Sequence, residues 1–299
     1  MNMQKSNILV SVTFFLSIFL QMVDAADIMA IRNNSKIDVY IDGQFFTSYI
    51  FSAEEKYPFF FPVNAPATGG SITSMRNSDY PHHSSLFFSC DGINGGIYWQ
   101  GGLEHGQIIS NGAGIVEQGE RLVITNECSW QRPDAESPVK DSRRITITAP
   151  SKDMRQIDFE ITLEALTDVE VVKTNHSLFT ARVIADISVA NGGVMINAEG
   201  AQGQRATSGK TSAWIDYYGK RGNVIEGICI MQHPSNPGYP VGWMARDYGI
   251  FSPTNLDRLN ESLNFRKGEK ITLRYRVLIH TGDHQTADIA GQFEKYKTE

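Results

Sequence analysis

Cysteines are scarce in this sequence, and none of them has the spacing of a metal ligand. Cys90, Cys128 and Cys229 are the only three in 299 residues, and they are far apart in the chain. A zinc site or a disulfide framework would need more cysteines or closer ones, such as a CxxC pair. One disulfide together with one free thiol remains compatible with this count in an oxidising compartment.

An excess of basic residues is also missing. The 27 lysines and arginines are outnumbered by 33 aspartates and glutamates, which gives a formal net charge of −6. A protein that binds a phosphate backbone would carry a basic stripe or patch. We therefore predict that nucleic acid is not a partner.

Motifs for common cofactors and nucleophiles are absent as well. The segment GGSITS is not a phosphate-binding loop, and the sequence contains no GxSxG, no HExxH and no GxGxxG after a strand. The sequence therefore indicates no named cofactor and no metal site.

Long apolar runs are limited to one, near the beginning of the sequence. Lys5 precedes the run ILVSVTFFLSIFLQMV, and the small-residue site VDA follows at residues 23–25. This order predicts a secretory signal peptide over residues 1–25. An uncleaved membrane anchor is the alternative, because a spanning helix needs about 17 apolar residues or more. We expect residues 26–299 to form a single periplasmic or secreted domain without stable membrane insertion.

Short β-rich runs, in contrast, are abundant. KIDVYI and QFFTSYIF flank Asp42-Gly43, a dipeptide typical of two-residue hairpin turns. Residues 271–279, ITLRYRVLI, alternate between two faces as a strand does. Helical periodicity is convincing only in residues 284–297, HQTADIAGQFEKYK. Many strands without intervening helices predict an all-β antiparallel β-sandwich with a short C-terminal helix.

Three long connections interrupt the predicted strands, at roughly residues 62–82, 190–212 and 233–258. They are much longer than the usual connections of about 4 to 6 residues. Long loops on a rigid sandwich commonly carry function, so we expect the site there.

Two adjacent histidines form the first candidate site. His82 and His83 follow Pro81, which favours a junction between a loop and a strand, so both rings could approach one site. If both lay within a strand, only one would face a given cleft. Histidine is the usual group for proton transfer near neutral pH, so we predict a catalytic role for the pair. The alternative is a solvated or hydrogen-bonded pair at the end of a strand.

A second candidate group lies in the Pro- and Gly-rich segment MQHPSNPGYPVGWMARDYGIFSP. A sugar or a carboxylated sugar would need its aromatic faces, its planar guanidinium and its carboxylate acceptor. We predict a catalytic carboxylate at Asp247 and substrate binding by His233, Trp243, Arg246 and Tyr248. The alternative is a structural loop pinned to the sheet by its tryptophan and by an internal Arg-Asp pair.

A third, weaker candidate is the segment GGLEHGQI. Glu104 and His105 are adjacent in this Gly-rich stretch, and a carboxylate with an imidazole could form a catalytic acid/base pair. The alternative is that both side chains are simply solvated.

Several segments in this order resemble a bacterial family, DUF6807, that is often labelled "methane oxygenase PmoA". They are IDGQFFTSYIF, YPFFFPVNAPATGGSIT, DYPHHSSLFFSCDGING, HGQI, WIDYYG and HPSNPGYPVGWMARDYGIFSP. The resemblance implies an exported protein of polysaccharide-degrading bacteria, with a sandwich similar to galactose-mutarotase-like folds. It also matches the candidate histidines and the second candidate segment to the family's motifs. This sequence departs from the pattern at Cys90, where many members have His, and at Phe87, where Trp is common.

These observations lead us to expect an exported carbohydrate-active enzyme of the glycan hydrolase, lyase or epimerase type. It would use histidine acid/base chemistry in a β-sandwich cleft and take a carbohydrate as substrate. A non-catalytic glycan-binding protein that uses the same groups is the alternative. A metal-dependent monooxygenase, as the family label implies, is the third and least favoured interpretation.

Overall fold

The computed structural model describes residues 25–254, 256 and 262–299. The predicted signal peptide lies outside the described residues, apart from Ala25.

The first large sheet of the described residues has eight strands and is antiparallel throughout. From one edge to the other, its strands are β1 (Ile28–Arg32), β2 (Lys36–Ile41), β3 (Gln44–Ile50), β4 (Phe59–Val63), β7 (Leu86–Phe88), β16 (Phe179–Arg182), β21 (Ile250–Ser252) and β20 (Met244–Ala245).

The second large sheet has nine strands in the described part of the chain, and its long central strands are also antiparallel. In spatial order they are β10 (Gln107–Ser110), β12 (Leu122–Gln131), β13 (Val139–Ser151), β14 (Met154–Ala165), β23 (Lys270–Thr281), β19 (Val224–Gln232), β18 (Trp214–Arg221) and β17 (Val194–Asn197). The ninth strand, β11 (Gly114–Glu117), pairs with β12.

Two smaller sheets and several short helices accompany the two large sheets. A four-stranded sheet contains β22 (Leu263–Phe265), β15 (Val169–Val171), β8 (Asp91–Ile93) and β9 (Gly96–Ile97). A separate hairpin contains β5 (Met75–Asn77) and β6 (Tyr80–Ser84). The helices are α1 (Gly203–Thr207) and α2 (Ile289–Tyr296), with short 3-10 turns at Leu103–His105, Ala185–Ile187 and Val189–Asn191.

The two large sheets pack face to face around an apolar core. Phe179 in the first sheet stacks on Tyr275 in the second, with ring centroids 4.6 Å apart. Tyr275 and Val277 point into the core, whereas Arg276 lies on the outer face and pairs with Asp158 at 2.7 Å. The alternation read from residues 271–279 is therefore confirmed, and so is the predicted antiparallel β-sandwich.

The predicted hairpin turn and C-terminal helix are also confirmed. Asp42 and Gly43 have φ angles of 51° and 74°, the positive values that a two-residue turn between β2 and β3 requires. The Asp288 side chain caps helix α2 by accepting from the Gly291 backbone N–H at 3.3 Å. Helix α2 buries Ile289 and Phe293 in a second apolar cluster on the outer face of the second sheet.

The three predicted long connections contain more regular structure than the sequence indicated. They include the hairpin strand β5, strand β17 with helix α1, and strands β20 and β21. These strands have two to four residues, which is too short for alternation to be visible in a sequence. The connections are therefore partly held by pairing to the sheets.

The structure also bears on the state of the cysteines and on the presence of membrane-spanning helices. All three cysteines are buried free thiols, so the disulfide left open by their number does not form. Among the described residues, no helix has the length and apolar character needed to span a membrane.

Candidate functional site

Strand β6 carries the paired histidines. Both lie within the extended strand rather than at a loop junction, so their side chains take different environments: His83 is only 3% exposed, whereas His82 is half-buried. Their ring centroids are 4.4 Å apart and the ring planes cross at 75°. The Tyr57 hydroxyl donates to the His82 backbone carbonyl at 2.9 Å and fixes the strand there. His82 is therefore the member of the pair that can reach a ligand from solvent.

A third histidine, which sequence reasoning missed, faces His82. The ring centroid of His176 is 5.5 Å from that of His82, and its Nδ1 lies 3.2 Å from Oδ2 of Asp91. The Asp91 backbone N–H also donates to the His176 carbonyl at 3.0 Å. A carboxylate at one ring nitrogen orients an imidazole and leaves the other nitrogen for proton transfer. We call His82, His176 and Asp91 the histidine site.

Asp91 is itself held firmly. Its Oδ1 accepts from the Trp99 backbone N–H at 2.7 Å, and the Trp99 ring packs 5.3 Å from the His176 ring. Both Asp91 and Trp99 are buried, whereas His176 is half-buried. The carboxylate is therefore shielded from water and aimed at an imidazole that reaches the surface.

An aromatic stack borders the histidine site. Tyr80 stacks on Tyr248 at 4.5 Å and on His83 at 4.9 Å, with interplanar angles of 10° and 6°. The Arg182 guanidinium lies over both tyrosine rings, 4.7 Å from the centroid of Tyr248 and 5.4 Å from that of Tyr80. Both tyrosines are half-buried. The site thus combines aromatic surface with a cation beside two accessible imidazoles.

The surroundings keep the paired histidines neutral. Burial, with smaller contributions from the neighbouring His82, Arg182 and His176, lowers the pKa of His83 to about 3. Burial also lowers the pKa of His82, with help from His176 and against the opposing effect of Asp91. His82 is therefore unprotonated near neutral pH and can accept a proton.

The predicted pair in the GGLEHGQI segment lies on the protein surface. Glu104 and His105 occupy an exposed 3-10 turn, with 3.2 Å between Oε1 and Nε2. The neighbouring Lys56 ammonium donates to the Gly102 carbonyl at 2.6 Å. Burial lowers the pKa of Lys56, while the carboxylates of Asp91 and Glu104 act in the opposite direction. Lys56 therefore interacts electrostatically both with the exposed turn and with Asp91 of the histidine site.

Two residues of the second predicted group anchor helix α1. Arg246 Nη1 donates to the Ser208 hydroxyl at 2.9 Å. Asp247 Oδ1 accepts from the Gln204 backbone N–H at 2.7 Å. These contacts position the loop that delivers Tyr248 to the aromatic stack. Of the five residues predicted in this segment, Tyr248 alone joins that stack.

The other two residues of the group lie elsewhere. Trp243 is fully buried, and its Nε1 donates to the Ser212 carbonyl at 2.8 Å, so its ring has no face open to a sugar. His233 packs on Tyr296 of helix α2 at 5.1 Å and lies 2.7 Å from the Ser235 hydroxyl. We therefore leave both residues out of the proposed site.

A metal centre finds no support in the geometry. Among residues 25–254, 256 and 262–299, no group of three or more His, Cys, Asp and Glu side chains could hold a metal ion. Cys90 is buried, and its Sγ lies 3.2 Å from the Asp91 backbone carbonyl. The described residues therefore offer no cluster of three such ligands for the metal that the family label implies.

The comparison with family profiles gives a clear result. The profile of DUF6807, a family of unknown function, matches residues 36–294. The chain belongs to DUF6807. The matched range includes the whole histidine site and the aromatic stack. A comparison with curated proteins found no match.

Comparison with solved structures gives remote similarities. One is to a protein described as a kojibiose phosphorylase from the human microbiome (10% identity, TM-score 0.36, covering 85% of this chain and 32% of that one). A second is to a polysaccharide lyase, with 11% identity and a TM-score of 0.30, and it covers 87% of this chain and 33% of that one. A third is to a galactose mutarotase related enzyme from Lactobacillus acidophilus, with 11% identity and a TM-score of 0.28. It covers 85% of this chain and 97% of that one. The chain spans about a third of the length of the first two. These values support no argument about activity.

The buried histidine predicts a specific pH dependence of stability. His83 has a pKa of about 3 in the folded protein, below its ordinary 6.5, so only the unfolded chain gains this proton as the pH falls from 6.5 towards 3. The free energy of unfolding should therefore drop by about 2 kcal/mol between pH 7 and pH 5 through His83 alone. His83→Phe, which keeps a ring in the stack, should lack this part of the loss, as measured by urea unfolding at both pH values.

A surface histidine provides the matched control for this experiment. His105→Phe should lose as much stability on acidification as the native protein, because His105 is exposed. An equal pH dependence in the native protein and in His83→Phe would contradict the assigned state of His83.

Proposed function

We propose that this chain is an exported carbohydrate-active enzyme that transfers protons with His82 and His176. One observation carries the proposal: an imidazole whose Nδ1 lies 3.2 Å from a buried Asp91 oxygen faces a second imidazole, 5.5 Å away between ring centroids. Both rings are half-buried and border an aromatic surface. Export follows from the sequence order at residues 1–25 and remains part of the proposal.

Each residue has a chemical role in this proposal. His82 is the neutral imidazole and accepts a proton from the substrate. His176 returns a proton through its Nε2, while Asp91 holds its Nδ1 side. The Tyr80–Tyr248 stack offers an aromatic edge against which a sugar ring packs.

The number of carboxylates favours some reaction types over others. Common glycoside hydrolysis uses two carboxyl groups on opposite sides of the bond that breaks. The histidine site contains one, Asp91, which is buried and engaged by His176 and by the Trp99 backbone N–H. Two imidazoles suit reactions in which one proton is removed and another is delivered, such as epimerisation or elimination at a sugar carbon. We therefore favour an epimerase or lyase over a hydrolase.

Incubation with plant and algal oligosaccharides in deuterium oxide tests this proposal. We expect either an epimer with deuterium at the inverted sugar carbon, because the proton that His82 removes exchanges with solvent, or an unsaturated sugar formed by elimination. Mass spectrometry and NMR distinguish the two products. His82→Gln and His176→Gln should each lower turnover by about 10²-fold or more. His284→Gln is the control, because His284 stacks on Tyr218 away from the histidine site and should retain native turnover.

A glycan-binding protein is the second candidate, since the edge of the tyrosine stack would bind a sugar without any chemistry. Saturable oligosaccharide binding without turnover, at equal affinity in the native protein and in both histidine variants, would establish binding and reject the enzyme.

A further inference from the structure

An apolar cavity of about 560 Å³ lies between the second large sheet and the small four-stranded sheet. Cys90 lines it, whereas the next residue, Asp91, contacts His176 in the histidine site. None of His82, His176 and Asp91 lines the cavity, so the cavity and the histidine site share no residue.

The inner wall of the cavity consists of buried side chains, whereas its opening is surrounded by exposed residues. Side chains buried in the core form its inner wall, including Val139, Ala165, Val171 and Tyr275. Exposed residues surround its mouth, among them Pro237, Pro240 and Leu263. A molecule can thus enter from solvent and reach the apolar space between the sheets.

Two buried polar side chains in the wall, Gln232 and Asn236, already have partners. Gln232 Nε2 donates to the Ser212 carbonyl at 2.7 Å, and its Oε1 accepts from the Val241 backbone N–H at 3.1 Å. Asn236 exchanges two hydrogen bonds with the Arg274 backbone, at 2.8 and 2.7 Å. Among the described residues, none of the buried polar atoms that lack a partner belongs to the cavity wall. A sugar would therefore leave its hydroxyl groups unsatisfied there, which is costly.

An apolar wall of this extent favours an apolar occupant. Side chains around an empty space lose the dispersion contacts that packed neighbours would give. The chain segment between Leu256 and Ser262, with the sequence DRLNE, is mostly charged or polar and has little apolar surface to offer in exchange. Ligand pockets of roughly 300 to 1,000 Å³ hold small organic molecules.

We propose that this cavity binds a small uncharged apolar molecule, independently of the reaction at the histidine site. The probe for the test is 1-N-phenylnaphthylamine, whose fluorescence rises in apolar surroundings. The native protein should bind one molecule saturably, and bound probe should raise the thermal midpoint of unfolding. Val241→Trp and Val171→Phe, which place larger side chains on the wall, should each weaken binding at least tenfold.

The exposed Ile225 provides a control of similar chemistry, because it lies near the start of strand β19 and is 41% exposed. Ile225→Trp should bind the probe as the native protein does. Using two wall variants keeps the test valid if one of them does not fold. Absence of saturable binding by the native protein, or equal affinity in folded wall variants, would overturn the proposal. Binding that arises only when residues 257–261 are replaced by Gly and Ser would overturn it too, since the chain itself would then exclude the ligand.

Discussion

Asp91→Asn is expected to lower kcat on the carbohydrate substrate by about 10²-fold to 10⁴-fold. The Asp91 carboxylate lies 3.2 Å from Nδ1 of His176 and holds that ring in place. An amide has one acceptor oxygen, and its NH₂ group would favour the imidazole tautomer with the opposite proton placement. His176 would then lack the carboxylate that stabilises the imidazolium from which Nε2 delivers its proton. KM should change little, because Asp91 is buried behind His176.

The control for this variant is Asp79→Asn, in the exposed turn of the β5–β6 hairpin. It should leave kcat within about twofold of the native value, since surface groups outside the site contribute little to proton transfer. Asp91→Glu should restore part of the activity and shift the pH profile of kcat, which a purely structural role would not do. A folded Asp91→Asn protein with native kcat would contradict the role of Asp91.

Asp141→Ala is expected to reduce the free energy of unfolding by about 3 to 5 kcal/mol. Asp141 and Arg143 form a buried ion pair, with 2.7 Å between Arg143 Nε and Asp141 Oδ1. Asp141 Oδ2 also accepts from Trp130 Nε1 at 2.7 Å. Removing the carboxylate leaves a guanidinium and an indole N–H buried without their partner. Urea unfolding of both proteins measures the difference.

Two comparisons isolate the cause of that loss. Asp153→Ala removes an exposed carboxylate and should change stability by less than about 0.5 kcal/mol. The double variant Asp141→Leu with Arg143→Met replaces the pair by apolar side chains of similar size. It should recover the part of the loss that comes from the unpaired charge, whereas the Trp130 N–H stays without its acceptor. A loss below about 1 kcal/mol in Asp141→Ala would show that water or a rearranged neighbour compensates Arg143.

The sandwich was largely predictable because the sequence patterns that indicate its strands and turns involve residues close together in the chain. The alternation in strand β23 and the Asp42-Gly43 turn are properties of neighbouring residues, and both predictions are confirmed. The short strands β20 and β21 could not be predicted, since their formation depends on pairing with distant chain segments.

The candidate site was predictable only in part, because its members come from distant segments. His82 and Tyr248 were identified from their motifs, and the structure brings both to the site. His176 and Arg182 each occur without a motif, and only the pairing of strands β7 and β16 places them nearby. Asp91 carried a usable signal, since a carboxylate directly after the apolar run LFFSC is unusual.

Burial explains why one aromatic prediction does not contribute to the site. In the sequence, a tryptophan in a Gly- and Pro-rich loop is equally compatible with stacking on a sugar and with packing in the core. Trp243 stacks on Phe251 within the core, an arrangement set by tertiary packing.

The most direct test of the account is a crystal structure of the His82→Gln protein with the oligosaccharide that the native protein converts. The account predicts a sugar ring packed against the edge of the Tyr80–Tyr248 stack, with its reacting carbon or oxygen within about 3.5 Å of His176 Nε2. An oligosaccharide bound elsewhere, with His176 free of contact, would contradict it.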